Sequence, residues 1–90
     1  MKRSVEVFYS SGFERAYEEL ELVIKKKAER RVEIFCGDVF DKRLGTHKLH
    51  GKLKEFWAFS IDDKNRIAFK FLDDRAVIFL DVGDHDIYKS

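Results

Sequence analysis

The chain has no proline, one cysteine, one methionine and one tryptophan among its 90 residues. A lone cysteine, Cys36, cannot close an internal disulfide, which suits a reducing compartment. No histidine pattern accompanies Cys36, so it reads as a small hydrophobe and not as a nucleophile. No Cys/His spacing matches a zinc site, and no glycine-rich loop matches a nucleotide-binding motif. Neither a metal nor a small-molecule cofactor is therefore expected. Apolar runs never reach the roughly 18 residues of a membrane span. Met1-Lys2-Arg3 leads into a mixed polar segment with no signal-type apolar run. These absences predict a cytoplasmic protein with no membrane role. Repeats and low-complexity linkers are missing too. The lack of proline points to no function.

Aromatic residues are what the chain has in quantity: nine Phe and three Tyr join the one Trp. The length predicts a single domain over residues 1–90. A chain this short buries only about 60–65% of its unfolded surface, so its core must be efficient. Each buried aromatic removes roughly 150–250 Å² from water and supplies that efficiency. The formal net charge is only +1, but it is unevenly distributed. Residues 1–23 and 71–90 are acidic in balance, whereas 41–70 hold eight Lys/Arg against four acids. Such polarisation can build a basic face in three dimensions.

Ser4 to Tyr9 alternates weakly and reads as a first strand. Ser10-Ser11-Gly12 breaks it, with Ser11 as expected N-cap and Glu14 at capping-box spacing. Phe13, Ala16, Tyr17, Leu20, Val23 and Ile24 then recur at helical steps. Lys25-Lys26-Lys27 would lie near that helix's C-terminus, where cations suit the macrodipole. A second helix is expected over Ala28 to Cys36, ended by Gly37. Nothing but charge separates the two, so a single long helix is the alternative. Residues 37–51 read as a long surface loop, a kind that is more often functional than decorative.

The basic segment Thr46–Phe71 contains the strongest strand pattern. Trp57, Phe59 and Ile61 alternate with Phe56, Ala58 and Ser60; Asp62-Asp63-Lys64-Asn65 reverses the chain; Arg66 to Phe71 then resumes the pattern. That is a hairpin signature. Arg66 alternates in phase with Ala68 and Lys70, on the polar face of its strand. A last run, Ala76 to Val82, is nearly continuously apolar and predicts a strand at the sheet's centre. Phe13, Tyr17, Leu20, Phe69, Phe79 and Leu80 are expected in the core. Lys48, Lys52, Lys54 and Arg43 are the expected contacts to nucleic-acid phosphates, which add affinity without specifying sequence. His50 reads as a solvated loop residue.

Four stretches in order carry a resemblance: T-H-K-L-H-G-K-L (46–53), F-W-A-F-S-I-D (56–62), R-I-A-F-K-F (66–71) and D-V-G-D-H-D-I-Y (81–88). Together they resemble the RelE/ParE superfamily of toxins, in its RelE/StbE and YafQ-type branch, over nearly the whole chain. The resemblance implies an α+β fold of order β-α-α-β-β-β, two helices packed on a four-stranded, antiparallel-rich sheet. It also implies a toxin of a type II toxin-antitoxin system that cuts mRNA on the ribosome and is neutralised by a cognate antitoxin. Such cleavage uses no metal; the ribose 2′-OH attacks the adjacent phosphate.

Carried over residue by residue, the catalytic candidates are His47 of the H-x-L-x-G turn, His85 of the terminal G-x-H, Tyr88 as the C-terminal aromatic and Arg66 as the phosphate-facing cation. Ser60 and Lys64 depart from the YafQ-type pattern, which has a histidine and an acid there, so those two roles do not transfer. Two other function classes stay open: a ParE-like toxin that poisons DNA gyrase without cutting RNA, and an inactive relative that binds an antitoxin.

Overall fold

A computed structural model of the chain describes residues 4–50 and 55–84. Its elements in order are β1 (Glu6–Tyr9), α1 (Ser11–Glu18), α2 (Leu22–Gly37), a 3₁₀ turn (Lys42–Leu44), β2 (His47–Lys48), β3 (Trp57–Ser60), β4 (Arg66–Asp73) and β5 (Ala76–Gly83). The strands form one five-stranded sheet in the order β1-β5-β4-β3-β2, antiparallel except for the parallel β1–β5 pair. The α+β class and the helix count match expectation. The sheet has one strand more than expected, because the described part of the expected 37–51 loop, residues 37–50, carries structure of its own. That segment buries Val39 and Leu44 completely, and β2 pairs with β3.

The helix boundaries also differ from the expected ones. Ser10, not Ser11, caps α1, its hydroxyl accepting the Phe13 N–H at 3.0 Å. α1 closes with short i→i+3 bonds from Glu19 to Ala16 and from Leu20 to Tyr17, at 3.2 and 3.0 Å. Glu21 is extended and α2 begins at Leu22, so the three consecutive lysines lie early in α2, away from any helix C-terminus. No proline or glycine marks this break. It comes from packing, since both helices must lie on one face of a narrow sheet.

That face is aromatic. Phe35 of α2 stacks on Phe59 at 4.5 Å and meets Phe69 and Phe79 edge-on at 4.9 and 5.4 Å, while Phe13 of α1 packs on Phe79 at 5.3 Å. Phe35, Phe59, Phe69 and Phe79 are all fully buried. Tyr17 and Leu20 pack against this core and are only partly buried. Val23, expected on the helix stripe, is exposed.

Leu80 is outside the core for a specific reason. Ala68 pairs with Asp81 but Phe69 pairs with Phe79, which leaves Leu80 as an extra residue, a β-bulge. The bulge resets the alternation, so Val77, Phe79 and then Val82 face the helices. Ser10 Oγ donates to the Leu80 carbonyl at 3.3 Å, so one hydroxyl both caps α1 and satisfies the bulge. β5 is interior but second in the sheet; the middle strand is β4.

Candidate functional site

With both helices on one side of the sheet, the other side is where β-strand side chains can meet a ligand. Strand alternation and register decide what stands there. One row crosses the sheet as His47, Ala58, Ala68 and Asp81; the next holds Ser60, Arg66 and Gly83. Ala58 and Ala68 are buried yet outside the aromatic core, and they keep the middle of this face low. Cross-strand neighbours lie about 5 Å apart, which puts the Cα atoms of His47 and Arg66 roughly 12 Å apart on one face. His47 is exposed, with Nδ1 3.0 Å from the Gly45 carbonyl oxygen. Gly45 makes this approach possible, because its φ of 60° is left-handed and strained for any other residue. Asp81 is half-buried, and its carboxylate accepts the Val82 N–H at 2.8 Å.

Sequence reasoning named His47 and Arg66 as separate candidates, and only the strand register puts them on one face. Sequence reasoning did not anticipate β2, which turns the neighbouring Lys48 to the opposite face, in register with Trp57. Lys52, Lys54, His85 and Tyr88 lie outside the described residues.

Arg43 is placed elsewhere. Asp41 binds it through two bonds of 2.9 and 2.8 Å, and these hydrogen bonds raise the guanidinium pKa further above its ordinary range. It lines a cleft of about 740 Å³ between α2 and the β3–β4 turn, together with Lys27, Arg30, Arg31 and Lys64. Asp62 and Asp63 are the acids in that lining. The Asp62 carboxylate is already engaged: it accepts the Lys64 and Asn65 N–H groups at 2.9 and 2.8 Å and pairs with Lys27 at 3.4 Å. Burial pushes the Asp62 carboxyl upward, but these donors outweigh it and hold the group below its usual range. The cleft is thus strongly cationic and suited to a phosphate chain. The signal was present in the sequence, since Lys27, Arg30 and Arg31 share a helical face at i, i+3 and i+4. It was hidden by placing the lysines at the end of the wrong helix.

No family model and no curated protein matches the chain in sequence. Solved structures do match it in shape. A chain of the E. coli DinJ–YafQ toxin–antitoxin complex superposes with a TM-score of 0.75 at 14% identity, covering 97% of this chain and 99% of that one. The YoeB/ParE toxin from Agrobacterium tumefaciens gives 0.73 at 13% identity, with 94% and 99% covered. A chain of the RelBE2 toxin–antitoxin complex from Mycobacterium tuberculosis gives 0.63 at 15% identity, with 91% and 99% covered. At this identity the likeness concerns backbone architecture, end to end on both sides, and on that ground the chain has the fold of the RelE/ParE-type toxins.

Proposed function

We propose that the chain is the toxin of a type II toxin–antitoxin pair, and that it acts as an endonuclease on mRNA held by the ribosome. The observation that supports this reading is that His47 and Arg66 stand on the same sheet face, opposite the helices, in a fold shared by solved toxins. The antitoxin partner is inferred from the solved toxin–antitoxin complexes of the same fold.

In the proposed step the 2′-OH loses its proton to a base as its oxygen bonds to the adjacent phosphorus. The bond from phosphorus to the 5′ oxygen breaks, and an acid protonates that oxygen. The products are a cyclic phosphate and a free 5′-OH. Arg66 stabilises the extra charge on the phosphoryl oxygens, which is where a preorganised cation contributes most. His47 and His85 share the proton transfers, and Tyr88 contacts a base or assists the acid. The cleft lined by Lys27, Arg30, Arg31, Arg43 and Lys64 gives a second track for RNA backbone.

Primer extension on a translated mRNA after induction of the protein tests the reading. Cuts within codons support it. Inhibited gyrase supercoiling with no cuts would instead make the chain a ParE-like poison, and neither effect would leave it a binding protein.

A further inference from the structure

A second concavity on the helix side has the opposite chemistry to the basic cleft. Between α1 and α2 lies a groove of about 460 Å³, walled by Tyr9, Phe13 and Tyr17 and floored by Ala28 and Val32. Phe13 stacks on Tyr17 at 5.8 Å and meets Tyr9 at 5.6 Å, yet Tyr9 remains 51% exposed. Phe13 is buried and Tyr17 half-buried, so Tyr9 is the exposed apolar edge of the groove.

The rim is acidic. Glu14 and Glu18 stand one turn apart on α1, and Glu29 faces them from α2. All three are exposed, and none has an ion-pair partner among the described residues. Like charges one turn apart weaken a helix when nothing neutralises them. The Tyr17 hydroxyl, whose pKa is raised by burial and then by Glu29 and Tyr9, donates to the Lys25 carbonyl at 3.3 Å. Lys25 itself sits 5.7 Å from the Tyr17 ring centroid, a cation already held on this aromatic wall.

We propose that this groove docks a basic amphipathic segment of a partner protein, whose apolar side chains fill the aromatic trough while its arginine or lysine side chains reach Glu14, Glu18 and Glu29. Charge complementarity selects this occupant: a nucleic-acid backbone would meet three carboxylates, and an acidic segment would meet the same repulsion. Arginine fits best, because it can stack on aromatic faces and donate to carboxylates at once. The inference is independent of RNA cleavage and holds whether or not the chain is a nuclease.

The test titrates the full chain into two fluorescein-labelled helical peptides of about 18 residues. Both have the same leucine-rich face; one carries arginine on its polar face and the other glutamate. Anisotropy is expected to show the arginine peptide binding at least about tenfold more tightly, a preference that shrinks as salt rises. Joint Glu18→Lys and Glu29→Lys substitution should abolish the preference, whereas Glu6→Lys, outside the groove, should leave it unchanged. Tyr9→Ala, which changes no charge, should weaken the same peptide and so exclude a purely long-range effect. Circular dichroism of each variant checks folding. Equal affinity for both peptides, or equal loss with Glu6→Lys, would overturn the proposal. So would self-association of the chain that excludes the peptide, since a second copy would then be the occupant.

Discussion

Asp62 is the residue on which the β3–β4 turn is organised. Its carboxylate accepts two backbone N–H groups and the Asn65 amide, and it pairs with Lys27 of α2. Asp62→Ala leaves those donors unanswered and should destabilise the fold by about 1–2 kcal/mol. For a domain of this length that is a drop in Tm of roughly 5–15 °C, readable by thermal circular dichroism. The folded carboxyl titrates below its unfolded value, so its contribution is complete above the unfolded pKa and is lost as pH falls through the folded one. Stability of the parent chain should therefore decline with acid below the ordinary carboxylate range, and the Asp62→Ala protein should decline less steeply. Arg66 belongs to chemistry in the proposed function. Arg66→Ala should lower single-turnover cleavage of ribosome-bound mRNA by about 10²–10³-fold with ribosome binding largely retained. A rate within a few-fold of the parent would remove Arg66 from the mechanism. His85→Ala, with an expected loss of about 10²–10⁴-fold, tests the proton-transfer assignment in the same assay.

At the scale of elements, Ser10 links two structures that lie far apart in sequence. Its hydroxyl caps α1 and satisfies the carbonyl of the β5 bulge, 70 positions further along the chain. Ser10→Ala should lose both bonds, about 1–3 kcal/mol by denaturant titration, more than a cap alone gives. Ser10→Asp keeps the acceptor for the helix but not the donor for the bulge, and should recover only part of the loss. The hairpin, expected over residues 56–71, was legible because alternation and the Asp-rich reversal agree with each other, although β4 runs on to Asp73. The α1–α2 break was not, because no residue there disfavours a helix; the short i→i+3 closure follows from seating both helices on one sheet. The bulge at Leu80 was illegible for a related reason. An apolar run has no phase of its own, so Leu80 looked as suited to the core as Phe79 until α1 was placed against it.

Across the whole molecule, charge is sorted by surface. The cleft between α2 and the β3–β4 turn gathers five cations from three parts of the chain, and the groove between α1 and α2 gathers three glutamates. On the proposed function, affinity for RNA should fall steeply with salt. Removing the side chains of Arg30 and Lys64, neither of which has an ion-pair partner among the described residues, should reduce the slope of log K against log salt by roughly one to two. An unchanged slope would show that RNA does not touch this cleft. The net charge of +1 gave no hint of this division. Composition and periodicity by themselves determined the α+β class, the aromatic core and the polar face of β4, because those depend on the local repeat of apolar side chains. Register, the bulge and the helix break depend on contacts between distant segments. So only the tertiary structure decided that His47 shares a face with Arg66 while Lys48 does not, and that Arg43 joins the cations of α2, because a shift of one residue in pairing reverses every side chain on a strand.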